Sequence, residues 1–442
     1  MSTKNPSQIN HLKLINFDWP EKNILKLDWV IILLYFLLLG FGVGNILSSS
    51  ISGEEVNFLD LSNLYSKQLL YALISIFLGF IAISIEVKFY ERFSSIFYLI
   101  SLIVLLCLFL FGKRVNGALS WFPIGGFNLQ PSEFVKITVA LAVSKYISDF
   151  QTDLKNTNDQ LKLFLIIFIP IIIIVFQNDT GSSIVFFSLF FVLYREGISQ
   201  NYVEAIFSII ILAILSLKLS ASVTASVSIS FILIYYLFKR KVRNKIIKII
   251  SLSSLCLITC FGTIYSYDNI LRNHQKNYIK VWLNLEKDPN KIKQMERTIL
   301  YNLNESKKAI SSGGLTGKGY LKGTRTMGNF VPAQHSDYIF STVGEEWGFF
   351  GSVFIILLYT ILIIRIIYLS ENQKNKFSRV YGYCTASILF IHFMINIGMV
   401  LGLTPTIGIP LPFLSYGGSS LIAFTLLLSI FLRLDGNKKN EW

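Results

Sequence analysis

Long runs of apolar residues alternate with short polar stretches along the chain, from residue 28 to residue 433. A helix needs roughly 20 mostly apolar residues to cross a bilayer. Because the backbone must satisfy its own hydrogen bonds in lipid, such runs predict membrane-spanning helices. The pattern therefore predicts an all-α, polytopic transmembrane helical bundle of about 10–12 helices with one long extracytoplasmic loop. The twelve predicted helices lie near residues 28–48, 68–86, 91–111, 131–149, 162–177, 182–196, 202–218, 223–238, 246–267, 342–366, 379–401 and 413–433.

The composition agrees with a membrane protein, since 53% of the residues are hydrophobic and only 15% are charged. Soluble domains carry about 25% charged residues. Cys107, Cys256, Cys260 and Cys384 all lie in apolar runs, so we interpret them as small buried hydrophobic residues rather than as disulfide partners or zinc ligands. The net charge of +14 would suggest nucleic-acid binding in a soluble protein. Here we attribute it to cytoplasmic loops and anionic lipid, and we expect no nucleic-acid partner.

Lysine and arginine residues in short loops predict the orientation of the helices, because such loops stay in the cytoplasm. The densest clusters are Lys239, Arg240, Lys241, Arg243, Lys245 and Lys248, and then Arg365, Lys374, Lys376 and Arg379. With an even number of helices, both termini are then cytoplasmic. We predict a cytoplasmic segment at 1–27, a transmembrane domain at 28–433 and a cytoplasmic tail at 434–442. Residues 1–27 do not follow the order of a cleaved signal peptide.

One long polar segment, residues 268–341, is predicted to face outward. A loop of this length inside a compact protein is usually functional, and long loops cross the membrane largely regardless of charge. The plainer interpretation is a solvated loop with a few amphipathic turns. We favour a cationic surface for an anionic lipid or a diphosphate. Its basic residues are Arg272, Lys276, Lys280, Lys307, Lys308, Lys318, Lys322 and Arg325.

Two polar motifs begin predicted helices at the outer side. Glu133 and Lys136 follow Pro131 in the first turns of the fourth helix and lie on one helical face, so they can pair; a structural ion pair is the plainer interpretation. Asp179 lies in the tight turn between the fifth and sixth helices, where an acidic side chain commonly caps the following helix. An ionisable residue at membrane depth is nevertheless a functional hypothesis, so both motifs are candidates.

The strongest single candidate is Asp337, an acid at the foot of the long outer segment. Partial desolvation there would raise the proton affinity of the carboxylate towards that of a useful base. Spacing alone favours a cap for the tenth helix equally. We interpret His335 as a surface or hydrogen-bonding residue, and Glu345 and Glu346 as acids near the first turn of that helix. The glycine-rich stretch 311–320 precedes this group, and its backbone N–H groups suit an anion.

A proline- and glycine-rich stretch, residues 402–420, interrupts the last helical hairpin. Irregular backbone at membrane depth is tolerated where it lines a protein cavity. Ser415 lies within it. In the preceding helix, His392 and Asn396 are four residues apart, and we expect them to make hydrogen bonds between helices. These elements and the basic outer segment together suit chemistry on an anionic, membrane-held substrate.

Taken in order, eight motifs resemble the SEDS family, whose branches include RodA and FtsW, over about residues 30–433. They are Asn116–Trp121, Gln130–Glu133, Gln177–Gly181, His274–Gln275, Ser312–Gly319, His335–Phe340, Gly344–Gly348 and Leu411–Ser420. Family members usually have ten helices, so the resemblance implies an extra pair here, in residues 202–238. An added pair leaves the orientation unchanged.

The resemblance implies a peptidoglycan glycosyltransferase that polymerises lipid II in the bacterial cytoplasmic membrane, with Asp337 as the general base. It implies supporting or substrate-binding roles for Glu133, Lys136, Lys318, Arg325, Asp179, Ser415 and Trp121. Lys136, Lys318 and Arg325 would stabilise the leaving diphosphate. We see no metal-ligand spacing, although a divalent cation such as Mg²⁺ could serve the same purpose. The implied partner is a class B penicillin-binding protein.

Three alternatives stay open. Within the family, the stretch 408–413 favours the RodA branch in cell-wall elongation over the FtsW branch in septal synthesis. A lipid II flippase would use the same cavity and basic surface without chemistry. A structural scaffold for the elongation or division machinery would tolerate changes at both Asp337 and Lys318.

Overall fold

The computed structural model describes residues 27–50, 60–115, 117–125, 127–238, 244–271, 273–286, 288–298, 300–328, 330–331 and 333–438. Within these residues, ten helices are long and apolar enough to cross a membrane. Several predicted features lie outside the described residues: most of the N-terminal segment (1–26), the end of the tail (439–442), Asn116, Lys239, Arg240, Lys241, Arg243 and Arg272.

The first half of the chain is helical except for a small antiparallel sheet of three strands in the order β1-β2-β3. Its elements are α1 (Trp29–Ser50), α2 (Leu64–Ser84), α3 (Val87–Phe111), β1 (Lys113–Val115), β2 (Ala118–Ile124), β3 (Phe127–Leu129), α4 (Pro131–Ser148), α5 (Thr157–Phe176), α6 (Thr180–Val185) and α7 (Leu189–Arg195). The sheet lies between the third and fourth predicted helices, where the apolar pattern predicts no element.

The second half contains the remaining spans and the long outer segment. Its elements are α8 (Gln200–Leu219), α9 (Ala221–Phe238), α10 (Lys245–Tyr265), α11 (Asn273–Trp282), α12 (Pro289–Thr298), α13 (Tyr301–Ser312), α14 (Thr324–Met327), α15 (Ile339–Glu346), α16 (Gly348–Glu371), α17 (Lys376–Leu401) and α18 (Gly418–Gly436). The four helices α11–α14 show that the outer segment is much more ordered than a loop with a few amphipathic turns.

Each of the twelve predicted helices overlaps a helix of the structure, but two are divided and the last begins later than predicted. The predicted helix 182–196 is divided into α6 and α7 by a 3₁₀ turn, Phe186–Ser188. The predicted helix 342–366 is divided into α15 and α16 at Gly348, whose φ of 64° is a conformation that glycine adopts without strain. The last predicted helix begins at Gly418 rather than at 413, because residues 402–417 are irregular.

The buried centre of the bundle consists of α4, α17 and α18. Helix α18 packs against α2, and α17 packs against α4 and α16, so most residues of both helices are buried. Helices α8, α9 and α10 instead expose apolar side chains on most of their surface, as lipid-facing helices do. Where they pack together, Ala221, Ala225, Cys256 and Cys260 form a small separate core.

Candidate active site

Asp337 lies in a turn, residues 333–338, that leads from the outer segment into α15. The backbone N–H groups of Ser336 and Tyr338 donate to Ala333 O and close this turn. The residue that caps α15 is Tyr338, and it makes no side-chain capping bond. The alternative that Asp337 serves as the cap of this helix is therefore wrong, and its carboxylate is left for other contacts.

Two residues of the proline- and glycine-rich stretch 402–420, Ser415 and Tyr416, form hydrogen bonds to the backbone of this turn. Ser415 Oγ donates to Ser336 O at 2.6 Å and accepts from Leu411 N at 2.8 Å. The backbone N–H of Tyr416 donates to His335 O at 2.8 Å. Ser415, which we had selected as a supporting residue, therefore positions the backbone next to Asp337.

A second support comes from α17. Asn396 Nδ2 donates to Asp337 O at 2.9 Å and to Ile409 O at 2.7 Å, so one side chain joins the turn to the proline-rich stretch. Gly408 faces the carboxylate: its φ is 72°, and a Cβ there would lie 3.2 Å from Asp337 Oδ2. The predicted bonding of Asn396 is thus to irregular backbone rather than to another helix.

The surroundings of Asp337 favour a proton acceptor. Burial raises the pKa of Asp337 to about 6, and a hydrogen bond from Ser336 limits the rise. Burial lowers the pKa of His335, whose ring lies edge-on to Tyr416. In the part of the chain that the structure describes, no lysine or arginine forms an ion pair with Asp337. A carboxylate with this pKa is mostly ionised at neutral pH and still retains an affinity for protons.

Glu133 and Lys136 form the predicted ion pair at the start of α4, with Lys136 Nζ 2.8 Å from Glu133 Oε2. Both side chains are almost completely buried, at 3% and 2% exposure. Lys136 Nζ also lies 2.9 Å from His392 Nε2, and His392 Nδ1 lies 3.1 Å from Pro410 O. Because a carbonyl oxygen can only accept, we assign the proton to Nδ1, so that Nε2 accepts from Lys136. This chain of bonds joins α4 to the stretch that carries Gly408.

Asp179 has the predicted capping role and two further contacts. Its Oδ1 accepts from Ser182 N at 3.1 Å at the start of α6. Its Oδ2 accepts from Ser182 Oγ at 2.9 Å and from Gln130 Nε2 at 3.0 Å. Asp179 therefore joins two of the predicted motifs, the start of α4 and the start of α6.

Lys318 and Arg325 lie in a separate cluster. Lys318 Nζ pairs with Glu345 Oε1 at 2.6 Å, and the Arg325 guanidinium pairs with Glu305. The Glu345 carboxylate also accepts from the backbone N–H groups of Arg325 and Thr326, at 3.0 and 2.9 Å. Burial by itself would raise the pKa of Glu345, but these hydrogen bonds hold it below its usual value. Both predicted cations thus already have carboxylate partners.

Our interpretation of Glu345 and Glu346 as first-turn acids is wrong, since both lie buried in the last turn of α15. Glu346 accepts a hydrogen bond from Ser48 of α1. The glycine-rich stretch packs directly on this turn, and a Cβ on Gly317 would overlap Glu346 O. Two backbone N–H groups of this stretch, those of Lys318 and Gly319, donate to Glu345 O and Glu346 O at 3.0 Å each, and the glycines allow this close backbone approach.

The family described as "FTSW_RODA_SPOVE: Cell cycle protein" matches residues 28–225 and 200–440. The chain belongs to this family. Among the family's curated members, the peptidoglycan glycosyltransferase MrdB of Escherichia coli strain K12 is 31% identical over 79% of this chain and 80% of its own length. The peptidoglycan glycosyltransferase RodA of Treponema pallidum is 28% identical over 93% and 99%.

Solved structures of the family share the fold. A chain from a peptidoglycan synthase complex that coordinates polymerization and crosslinking has a TM-score of 0.68 at 21% identity, over 94% of this chain and 99% of that one. The RodA protein of Thermus thermophilus has a TM-score of 0.61 at 20% identity, over 94% and 98%. The predicted SEDS membership and the all-α bundle are confirmed. The two matched stretches of the family meet within α8 and α9, the region of the predicted extra pair.

Trp121 is the remaining predicted site residue of the family pattern. It lies in β2, half-buried, opposite Lys113 of β1. The neighbouring Leu119 N donates to Gln177 O at 2.8 Å, so the sheet is attached to the turn that contains Asp179. A role for Trp121 in substrate binding stays a prediction.

No group of three or more histidine, cysteine, aspartate or glutamate residues capable of holding a metal ion occurs among the described residues. The diphosphate of the proposed substrate offers oxygen ligands to a divalent cation. A requirement for Mg²⁺ therefore stays a prediction.

Proposed function

We propose that this chain is a peptidoglycan glycosyltransferase that polymerises lipid II into glycan strands for cell-wall elongation, as a member of the RodA branch. The names of the curated relatives support the reaction class. Relatives named FtsW also match, one of them at 28% identity over 94% of this chain, so a septal role is the second candidate within the family.

Asp337 is the proposed general base, and the observation that carries this role is its position in a turn held by Ser415 and Asn396, where burial raises the pKa of its carboxylate to about 6. Its carboxylate takes the proton from the 4-hydroxyl of the acceptor GlcNAc. The oxygen then forms a bond to the anomeric carbon of the donor, and the bond from that carbon to undecaprenyl diphosphate breaks. An α-linked donor gives a β-linkage, so the reaction inverts configuration and needs no covalent enzyme intermediate.

Supporting residues act on the position of this base and on the leaving group. Glu133, Lys136 and His392 hold the stretch that carries Gly408, and Asn396 holds the backbone of Asp337. Lys318 and Arg325 would have to exchange Glu345 and Glu305 for a diphosphate. A divalent cation would neutralise the diphosphate without that exchange, so we expect a chelator to lower the rate.

The proposed orientation places Asp337 at the outer face of the bacterial cytoplasmic membrane with both termini in the cytoplasm. Lys245 and Lys248 lie in the first turn of α10, Arg365 lies near the end of α16, and Lys374 lies in the turn between α16 and α17, so these basic residues support it. The proposed partner is a class B penicillin-binding protein, in keeping with the synthase complex to which the structurally similar chain belongs.

The test is polymerisation of lipid II by the purified full-length protein, alone and with such a partner. We expect Asp337→Asn to lower the rate by ~10²–10⁴-fold, the usual contribution of a general base, with unchanged folding. Asp288→Asn is the matched control, because Asp288 is another acid of the outer segment. Asparagine keeps the Oδ1 atom that accepts a hydrogen bond from Asn290 N. Polymer formation by Asp337→Asn at the control rate would refute the general base. Lipid II movement without polymer, by both wild type and control, would instead favour a flippase.

A further inference from the structure

A pocket of about 310 Å³ lies between the outer segment and the irregular stretch that follows α17. Its walls come from α11 and the residues after it up to Glu286, from α12 and α13, and from residues 402–406; the lining includes Tyr278, Trp282, Lys280, Lys307, Thr404 and Thr406. This volume is at the small end of the range for ligand sites. None of these residues belongs to the proposed catalytic group.

The pocket combines aromatic surface with positive charge. Neither Lys280 nor Lys307 forms an ion pair within the described ranges, and Glu286 is the acid in the wall. Lys307 Nζ approaches the backbone at Gly402, where a Cβ would lie 2.5 Å from it and where φ is 78°. Gly402 ends α17 in the left-handed conformation, and the Lys307 ammonium lies against this helix end, where a side chain at position 402 would displace it.

The wall also contains a polar atom that has nothing to bond. Thr406 Oγ1 is buried and has no hydrogen-bond partner in the described part of the chain, although a buried hydroxyl normally has one. Trp282 is fixed in place, since its Nε1 donates to Leu403 O at 3.0 Å. The Trp282 ring is thus a fixed aromatic surface, and Tyr278 adds a second aromatic ring to the same lining; the apolar face of a sugar can pack on such rings.

The pocket lies close to Asp337, because residues of its wall adjoin residues that contact or neighbour this carboxylate. Thr406 is two residues from Gly408, which faces Asp337 Oδ2, and two residues span at most ~7 Å. Tyr278 lies near Tyr338, the residue that follows Asp337. A ligand with several sugar units could therefore occupy the pocket while another of its units is at the carboxylate.

We propose that this pocket is a sugar-binding subsite, which takes one sugar unit bearing an anionic group beside the reacting centre. The rings would pack on the sugar, Thr406 would bond a hydroxyl or amide, and Lys280 and Lys307 would bind the anion. This assignment rests on the proposed function. Two sources share the chemistry: the carboxylates of a glycan strand with its stem peptides, and the diphosphate of the lipid-linked precursor.

The test is equilibrium binding to the wild-type full-length protein in nanodiscs, which needs no turnover. One probe is a soluble, lipid-free glycan oligomer with stem peptides, and the other is undecaprenyl diphosphate, which has no sugar. The variant Lys280→Gln/Lys307→Gln should raise the Kd by ~10-fold or more for the probe that supplies the anion, as expected for the loss of charged hydrogen bonds. Thr406→Val, which keeps the charge, should weaken the oligomer alone.

The matched control is Lys291→Gln/Arg297→Gln on α12, which removes the same charge from exposed positions outside the pocket. A Kd for both probes equal to that of the control would overturn the proposal. A selective loss for the oligomer assigns the pocket to the strand, and a selective loss for undecaprenyl diphosphate assigns its cations to the precursor. Binding is measured without catalysis, so a wild type that binds the oligomer but makes no polymer would refute only the proposed function.

Discussion

A single methyl group placed beside Asp337 tests whether the carboxylate is the reacting group. Gly408 faces Asp337 Oδ2, and the Cβ of an alanine at this position would lie 3.2 Å from that oxygen. Few observed Cβ atoms lie this close to a neighbour, so the carboxylate must move by a few tenths of an ångström. Gly408→Ala therefore perturbs the proposed base without changing any polar group.

The expected magnitude has two parts. The φ of 72° at Gly408 disfavours any residue with a Cβ, at roughly 1–2 kcal/mol, and this part affects stability. Displacement of the carboxylate affects the rate: because a shift of 1 Å can lower a rate ~10²-fold, a shift of about half that should lower it ~10-fold. The methyl group also excludes water, which raises the pKa of Asp337 further above its usual value. The pH at which the rate is half-maximal should then rise from about 6.

The assay is the initial rate of lipid II polymerisation across a pH series, normalised to folded protein. Gly125→Ala provides the matched control, because Gly125 also has a positive φ, 54°, but nothing lies within 4 Å of its Cβ position. The control carries the backbone strain without the contact. If both variants have the same rate and the same pH midpoint, the carboxylate is not the group that titrates in the reaction.

Three further outcomes follow from the site. Folding favours the protonated form of Asp337, whose pKa is about 6. The contribution of this carboxyl group to stability is complete below about pH 4 and is lost as the pH rises through 6. Asp337→Asn should therefore raise the free energy of unfolding at pH 8 by roughly 1–3 kcal/mol and change it little at pH 4. Glu345→Gln should lower the free energy of unfolding by about 2–4 kcal/mol, because several buried donors lose their acceptor. The control Glu371→Gln, which removes an acid from an exposed ion pair, should lower it by less than about 1 kcal/mol. Thermal unfolding measures all of these changes. In a cysteine-free background, Lys322→Cys should react with a membrane-impermeant maleimide from outside and Lys374→Cys should not; the reverse result would contradict the orientation.

Much of the candidate site was predictable because its residues interrupt an otherwise apolar pattern. Glu133 and Lys136 were predicted to pair from their spacing of three in a helix, and the pair is present. Asp179 was predicted to cap the following helix, and it does. Both contacts are local, so the helical repeat alone determines them.

Contacts between distant parts of the chain were not predictable in this way. Nothing in the spacing indicates that Asn396 bonds Asp337 O, 59 residues away, or that His392 joins Lys136 to Pro410. Glu345 was placed in the wrong turn, because the break at Gly348 depends on the glycine-rich stretch that packs against it. Such contacts depend on how helices pack, and no local repeat encodes that.

By itself, the sequence determined the positions of the apolar helices and their approximate limits, because lipid imposes one requirement, an apolar run of sufficient length, on every span; its ordered motifs indicated the family. It also singled out Asp337 through the ordered motifs. Only the tertiary structure decided that this carboxylate is not a helix cap, that Lys318 and Arg325 are held by other acids, and that a cationic pocket lies two residues from Gly408. The physical reason is that the burial and the partners of a charged group depend on every element packed around it, whereas the span of a helix depends only on its own residues.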